Sequence, residues 1–204
     1  SSVAPVNLNY LLWRNPENLK TRSILALGFN PEDSLLLDDE FFLKSQKLKN
    51  PGRVLFDTLS RPEFGPVEEW FLNGKSVETE VAGKRVKVEG LVKLGPSFGA
   101  DGNLITSRET FLKLLPSNPR GSIEIGLVKL KKDSDAFFIK KILNKSLPND
   151  VQVLTKQDFI DFEKNYWRDS TAIGFIFSLG ALMGFVVGCV VVYQILYSDV
   201  TDHL

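Results

Sequence analysis

Few residues in this chain are of a type that does chemistry, and they are not spaced to do it together. His203 is the single histidine among 204 residues and sits at the extreme C-terminus. Histidine-dependent nucleophilic triads and histidine-rich metal centres are therefore not expected. Asn73-Gly74-Lys75-Ser76 has the ending of a phosphate-binding loop, but the motif requires glycine where Glu69 stands. A hairpin turn is the expected use of that tetrapeptide. Gly95, Gly99 and Gly102 do not have the spacing of a dinucleotide fingerprint. Asp38-Asp39-Glu40 could attract a cation, yet acids at that position also suit the positive end of a helix dipole. Asn144-Lys145-Ser146 is a formal glycosylation sequon. The expectation is a chain with no catalytic residue, no metal ligand set and no cofactor site.

Charge excludes a further class. Lysine plus arginine equals aspartate plus glutamate, so no net field draws nucleic acid. The single cysteine, Cys189, cannot form a disulfide within the chain.

The near-zero mean hydropathy averages two unlike parts. No charged residue occurs from Ser170 to Ser198, a run of 29 residues. As a helix it spans about 43 Å, against the roughly 30 Å of a hydrocarbon core. Trp167 at one end and Tyr193 and Tyr197 at the other are expected interfacial anchors. Gly180, Gly184 and Gly188 recur every four residues, a spacing that lines one helix face and admits a second backbone. They are the expected packing residues of a bundle or homodimer. Lys164 and Arg168 precede the run, while Asp199, Asp202 and His203 follow it. The positive-inside rule places the large domain in the cytoplasm, but it is weak for long domains, and composition leaves orientation open.

The rest of the chain has to position this helix. Residues 4–30 read as two extended segments around the turn cluster Asn15-Pro16-Glu17-Asn18, and Ile24–Phe29 as a buried strand. A helix opens at Asp38-Asp39-Glu40 and stops at Asn50-Pro51-Gly52, and Arg53–Leu59 follows as a strand. Val77, Thr79 and Val81, then Val86 and Val88, alternate with charges around Ala82-Gly83, which predicts a hairpin with one wet face. The glycine-rich segment through Asp101-Gly102-Asn103 reads as a loop, and Ser107 as the cap of a short helix closed by Pro116. A β-α-β-α pattern comes next. Its strands are predicted at Ile123–Leu127 and Val151–Leu154, and Ser134 is the expected cap of the helix carrying Phe138, Ile142 and Leu143. Thr155 with Asp158 forms a capping-box signature. Phe159, Phe162 and Tyr166 then follow at i, i+3 and i+7. No breaker separates that helix from the uncharged run, so a continuous stalk is expected.

Three blocks carry a family likeness. Ile24-Leu25-Ala26-Leu27-Gly28-Phe29-Asn30-Pro31, the stretch from Val88-Glu89-Gly90-Leu91-Val92 through Gly95-Pro96-Ser97-Phe98-Gly99 to Asn103, and Val191-Val192-Tyr193-Gln194-Ile195-Leu196-Tyr197-Ser198 through Leu204 resemble DevC-type permeases, cyanobacterial members of the MacB/FtsX-like ATP-driven exporters. The resemblance covers nearly the whole chain and rests on sequence texture rather than a catalytic motif.

It implies an α+β fold in which a porter-like βαβ part, residues 1–60 and 120–165, receives an inserted strand-rich subdomain, 61–119. Residues 166–198 would be the stalk end and transmembrane helix, and 199–204 the start of a cytoplasmic segment. It further implies an inner-membrane protein with residues 1–165 in the periplasm, opposite to the local charge rule. The chain would be a fragment that begins after a first membrane helix, consistent with its start at Ser1 and without a signal peptide. The implied partners are a separate cytoplasmic ATPase, a periplasmic adaptor of the membrane-fusion type, an outer-membrane channel, membrane lipid and a second copy. The implied cargo is an envelope glycolipid or similar lipid. Two other readings fit the same residues: the sensor ectodomain of a membrane receptor, and an FtsX-type permease that signals without transport.

Overall fold

The computed structural model describes residues 2–33, 39–97, 99–116, 122–169 and 172–202. The chain divides into two compact units, Ser1–Lys131 and Lys132–Leu204.

The first unit is built on β1 (Ser2–Arg14) and β2 (Thr21–Phe29), which pair antiparallel from Val6↔Phe29 to Arg14↔Thr21. The predicted turn joins them. Buried Asn15 holds it, its Oδ1 accepting from the amides of Glu17 and Asn18 and its Nδ2 donating to the carbonyl of Glu63. After α1 (Asp39–Ser45) and a 3₁₀ turn, Gln46–Lys49, come β3 (Arg53–Asp57) and α2 (Val67–Leu72). Then follow β4 (Glu78–Val81), β5 (Lys84–Val92), β6 (Asn103–Ser107), α3 (Arg108–Leu114) and β7 (Ile125–Lys129).

The sheet order is β2-β6-β3-β5-β4-β1-β7, and β1 also pairs with β2. Six strands therefore close into a ring, β1-β2-β6-β3-β5-β4, while β7 lies antiparallel beside Ser2–Val6 of β1. Closure is made at Trp13↔Val81, with the Ala82 amide donating to the Leu12 carbonyl at 2.8 Å. A small barrel is filled by its own side chains. Here Leu11, Trp13, Ile24, Ala26, Val54, Phe56, Val86, Val88 and Leu104 form that interior, with Phe64, Val67 and Phe111 packed on them from the connecting segments. Trp13 is fully buried, its indole N–H donates to the Phe64 carbonyl at 3.0 Å, and its ring lies 5.2 Å from that of Phe56.

A bulge carries the sheet from one core to the other. Val54 pairs with Val88 but Leu55 pairs with Gly90, so Glu89 is the extra residue in β5. One inserted residue reverses the side-chain alternation. Val86 and Val88 accordingly face the barrel interior, whereas Val92 joins Val6, Phe29, Leu48, Leu55 and Ile105 on the other face.

The β4–β5 hairpin forms as expected, with positive φ at both Ala82 (50°) and Gly83 (73°), the conformation of a two-residue turn matched to strand twist. The helix cap at Ser107 also forms, its Oγ accepting from the Thr110 amide. Other expectations are corrected. β6 starts at Asn103, the end of the segment that reads as a loop, and covers residues 104–106, to which the sequence reading gives no element; its Leu104 and Ile105 are buried on opposite faces, so no wet face marks it as a strand. Asn73-Gly74 is no hairpin turn but the C-terminus of α2, with Gly74 at φ 74° and Lys75 Nζ over the Trp70 ring. In the ring, β6 of residues 61–119 stands between β2 and β3 of residues 1–60, and β5 and β4 stand between β3 and β1.

In the second unit, α4 (Ala136–Ser146) is followed by α5 (Lys156–Asp169) and α6 (Ala172–Asp202). The α4 cap is Asp135 rather than Ser134: its carboxylate accepts from the amides of Phe137 and Phe138. Val151–Leu154, predicted as a strand, is not in one. Those four residues form no ladder, and Val151 is exposed.

Glycine at 28 is required by packing: a Cβ there would lie 2.6 Å from Cβ of Phe111, where α3 meets β2. Gly28→Ala is expected to destabilise the barrel by about 1–3 kcal/mol, the usual cost of overpacking. Urea unfolding followed by tryptophan fluorescence should show the lower midpoint.

Candidate functional site

Two polar clusters brace the barrel, one buried around Asp57 and one partly exposed around Asp101. Asp57 is buried at the end of β3, where Oδ1 accepts from the amides of Leu59 and Leu94 and Oδ2 from Gly95 and from Nδ2 of Asn103. This pins the connection leaving β5 to the start of β6. Asp101 lies between Arg22, at 2.5 Å, and Arg61, at 2.8 Å, with Arg22 also over the Phe64 ring. The hydrogen bond from Arg22 lowers the Asp101 carboxyl below its ordinary range and raises the guanidinium in turn. These arrangements close loops rather than expose a reactive group. A shallow cleft of about 250 Å³ beside them is lined by Thr58, Ser60, Arg61, Glu68 and Glu69 without a histidine or cysteine. Among the described residues no group of three potential metal ligands stands together. Neither polar cluster was legible in the sequence, because Asp57 and Asn103 meet only through the β3–β6 pairing.

The distinctive feature is α6. Gly174–Thr201 is long and apolar enough to cross a membrane, and none of it is buried. A soluble core helix would be covered by its own fold; Phe175, Phe177 and Phe185 are each about 70% exposed. The expected glycines lie along it: a Cβ at Gly180, Gly184 or Gly188 would meet nothing within 4 Å, so that face is open to a second helix. Tyr193 and Tyr197 stack one turn apart with ring centroids at 6.1 Å. Trp167 belongs to α5, and its side chain is outside the described ones.

The stalk residues Phe159, Phe162 and Tyr166 share one stripe of α5 and are half-exposed. Their helix starts at the predicted box: Thr155 donates its amide and hydroxyl to Asp158, whose own amide donates back to Thr155 Oγ1. Sequence did not reveal that Asp158 also receives Lys140 Nζ from α4, at 2.8 Å.

Continuity of the stalk with the membrane helix turns on residues 170 and 171, which lie outside the described residues. α5 is described as far as Asp169 and α6 from Ala172. A Cβ on Gly174 would fall onto the carbonyl of Arg168, with the carbonyl carbon at 2.7 Å. Six residues along an unbroken helix advance about 9 Å. Arg168 and Gly174 therefore stand closer than two such positions of one straight helix, and no proline marks that approach in the sequence.

No family model matches this chain, and no curated protein matches it. Among solved structures, it is similar to the extracellular domain of the noncanonic ABC-type transporter YknZ from Gram-positive bacteria, with 16% identity over 76% of this chain and 81% of that one, at a TM-score of 0.45. A likeness of that size carries no functional weight by itself.

The hydrogen bond from Lys140, with those from Thr155, lowers the Asp158 carboxyl from 3.8 to about 2. A depressed carboxylate stabilises the fold above its unfolded value and loses that contribution as pH falls through the folded one. The α4–α5 pair should therefore loosen as pH drops from 3.8 toward about 2. Amide exchange in α4 should show this acid response in the unmodified chain and little of it in Asp158→Asn.

Proposed function

We propose that this chain is the extracytoplasmic domain and one membrane helix of a MacB/FtsX-like exporter permease, without enzymatic activity of its own. The observation that carries the reading is the wholly uncovered apolar helix that follows a folded domain. The sequence blocks that resemble DevC-type permeases supply the class. On this reading ATP is hydrolysed by a separate cytoplasmic subunit. The head engages a periplasmic adaptor and, through it, an outer-membrane channel, and a lipid or glycolipid is the cargo class. The chain sits in the inner membrane with its head in the periplasm.

The close approach of Gly174 to the Arg168 carbonyl bears on how such a role would work. A straight rod would transmit axial displacement along the stalk. A connection that departs from one straight helix would instead turn movement of α6 into a swing of α5 and of α4, which is tied to it through Lys140 and Asp158.

The open face of Gly180, Gly184 and Gly188 supports pairing with a second copy or another helix of the same permease. Gly184→Leu should weaken association of the full chain in detergent or bilayers and reduce export in cells, without changing the unfolding of the barrel. Crosslinking in membranes checks the first effect and cargo export the second. Unchanged association together with unchanged export would argue for the sensor reading, in which α6 acts as a lone span.

A further inference from the structure

α4 presents an exposed face that the proposed function does not use. The helix carries three lysines and no acid. Lys140 is turned toward α5 by its ion pair with Asp158, and Ile139 and Leu143 on the same side are partly covered. This fixes which side looks outward. At about 100° per residue, Phe137, Lys141, Lys145, Phe138 and Ile142 fall within an arc of roughly 140° on the opposite side. Phe137 is 72% exposed, Phe138 60% and Ile142 47%, and Lys141 and Lys145 are exposed between them. Aromatic rings interleaved with lysines suit an interface with apolar chains below and anionic groups above, because each lysine stem can lie along the apolar layer while its ammonium reaches the headgroups.

Position supports the same partner. α4 and α6 belong to one compact unit. The ion pair ties α4 to the first turn of α5, a helix of fourteen residues or about 21 Å.

We propose that the outward face of α4 docks on the surface of the bilayer that α6 crosses, Phe137, Phe138 and Ile142 entering the headgroup–acyl boundary and Lys141 and Lys145 meeting anionic lipid phosphates. This rests on the membrane reading of α6. Docking of α4 and its release would then be coupled to any swing of α5.

The test uses the full chain with Cys189→Ala, reconstituted in phosphatidylcholine vesicles with or without one-third phosphatidylglycerol (about 30%, an anionic surface of ordinary strength). A nitroxide is placed through Phe138→Cys or, separately, through Val186→Cys in the middle of α6. Collision with oxygen reports lipid, and collision with an aqueous nickel chelate reports water. In anionic vesicles both sites should favour oxygen. Lys141→Gln with Lys145→Gln, or omission of phosphatidylglycerol, should lower the docked-to-undocked ratio at Phe138→Cys by on the order of tenfold or more, leaving Val186→Cys unchanged. A nickel-accessible Phe138→Cys beside a lipid-facing Val186→Cys overturns the docking. Shielding of Phe138→Cys from both reagents overturns it in favour of a protein partner, and equal docking in neutral vesicles overturns the role of the lysines. A nickel-accessible Val186→Cys overturns the membrane reading itself.

Discussion

The second unit is governed by the 28 residues from Gly174 to Thr201, whose side chains find no cover in the fold to which they belong. Burial of a phenylalanine or leucine side chain is worth roughly 1.5–3 kcal/mol relative to exposure in water. A stripe of them left bare along a whole helix calls for another solvent. A bilayer satisfies the apolar surface all round the helix, and the glycine face then admits a helix partner. Phe137, Phe138, Phe159 and Phe162, in the two helices before α6, are likewise exposed.

The first unit solves a different problem. A mixed six-stranded ring has no long free edge inside it, so the barrel does not need α4 or α5 to cover its interior. Its weakest seam is the single Trp13↔Val81 pair, and the largest interior side chain sits there, hydrogen-bonded to the Phe64 carbonyl and in contact with Phe56. The bulge at Glu89 lets the same sheet serve two cores.

How much of this the sequence discloses depends on how local the signal is. The β1–β2 turn, the β4–β5 hairpin and the Ser107 and Thr155 caps are each written within a few residues, and each forms as read. β6 was hidden because residues buried on both sides of a sheet lose the alternation that marks a strand. The ring itself depends on pairings as distant as β2 with β6, to which no short-range pattern points. Val151–Leu154 shows the opposite error, a strand-like pattern that no neighbouring strand engages. Of the site residues, the three glycines and two tyrosines were recognisable from spacing, whereas the Lys140–Asp158 tie and the approach of Gly174 to Arg168 arise from tertiary contact.

The link between head and membrane is therefore the feature on which the functional account stands. It is measured most directly by the distance between spin labels at Lys156→Cys and Val186→Cys in the full chain with Cys189→Ala, reconstituted in bilayers. Thirty residues of unbroken helix would separate those positions by about 45 Å. The close approach of Gly174 to Arg168 predicts a distribution centred clearly below that. A narrow distribution near 45 Å would contradict the account and restore a rigid rod.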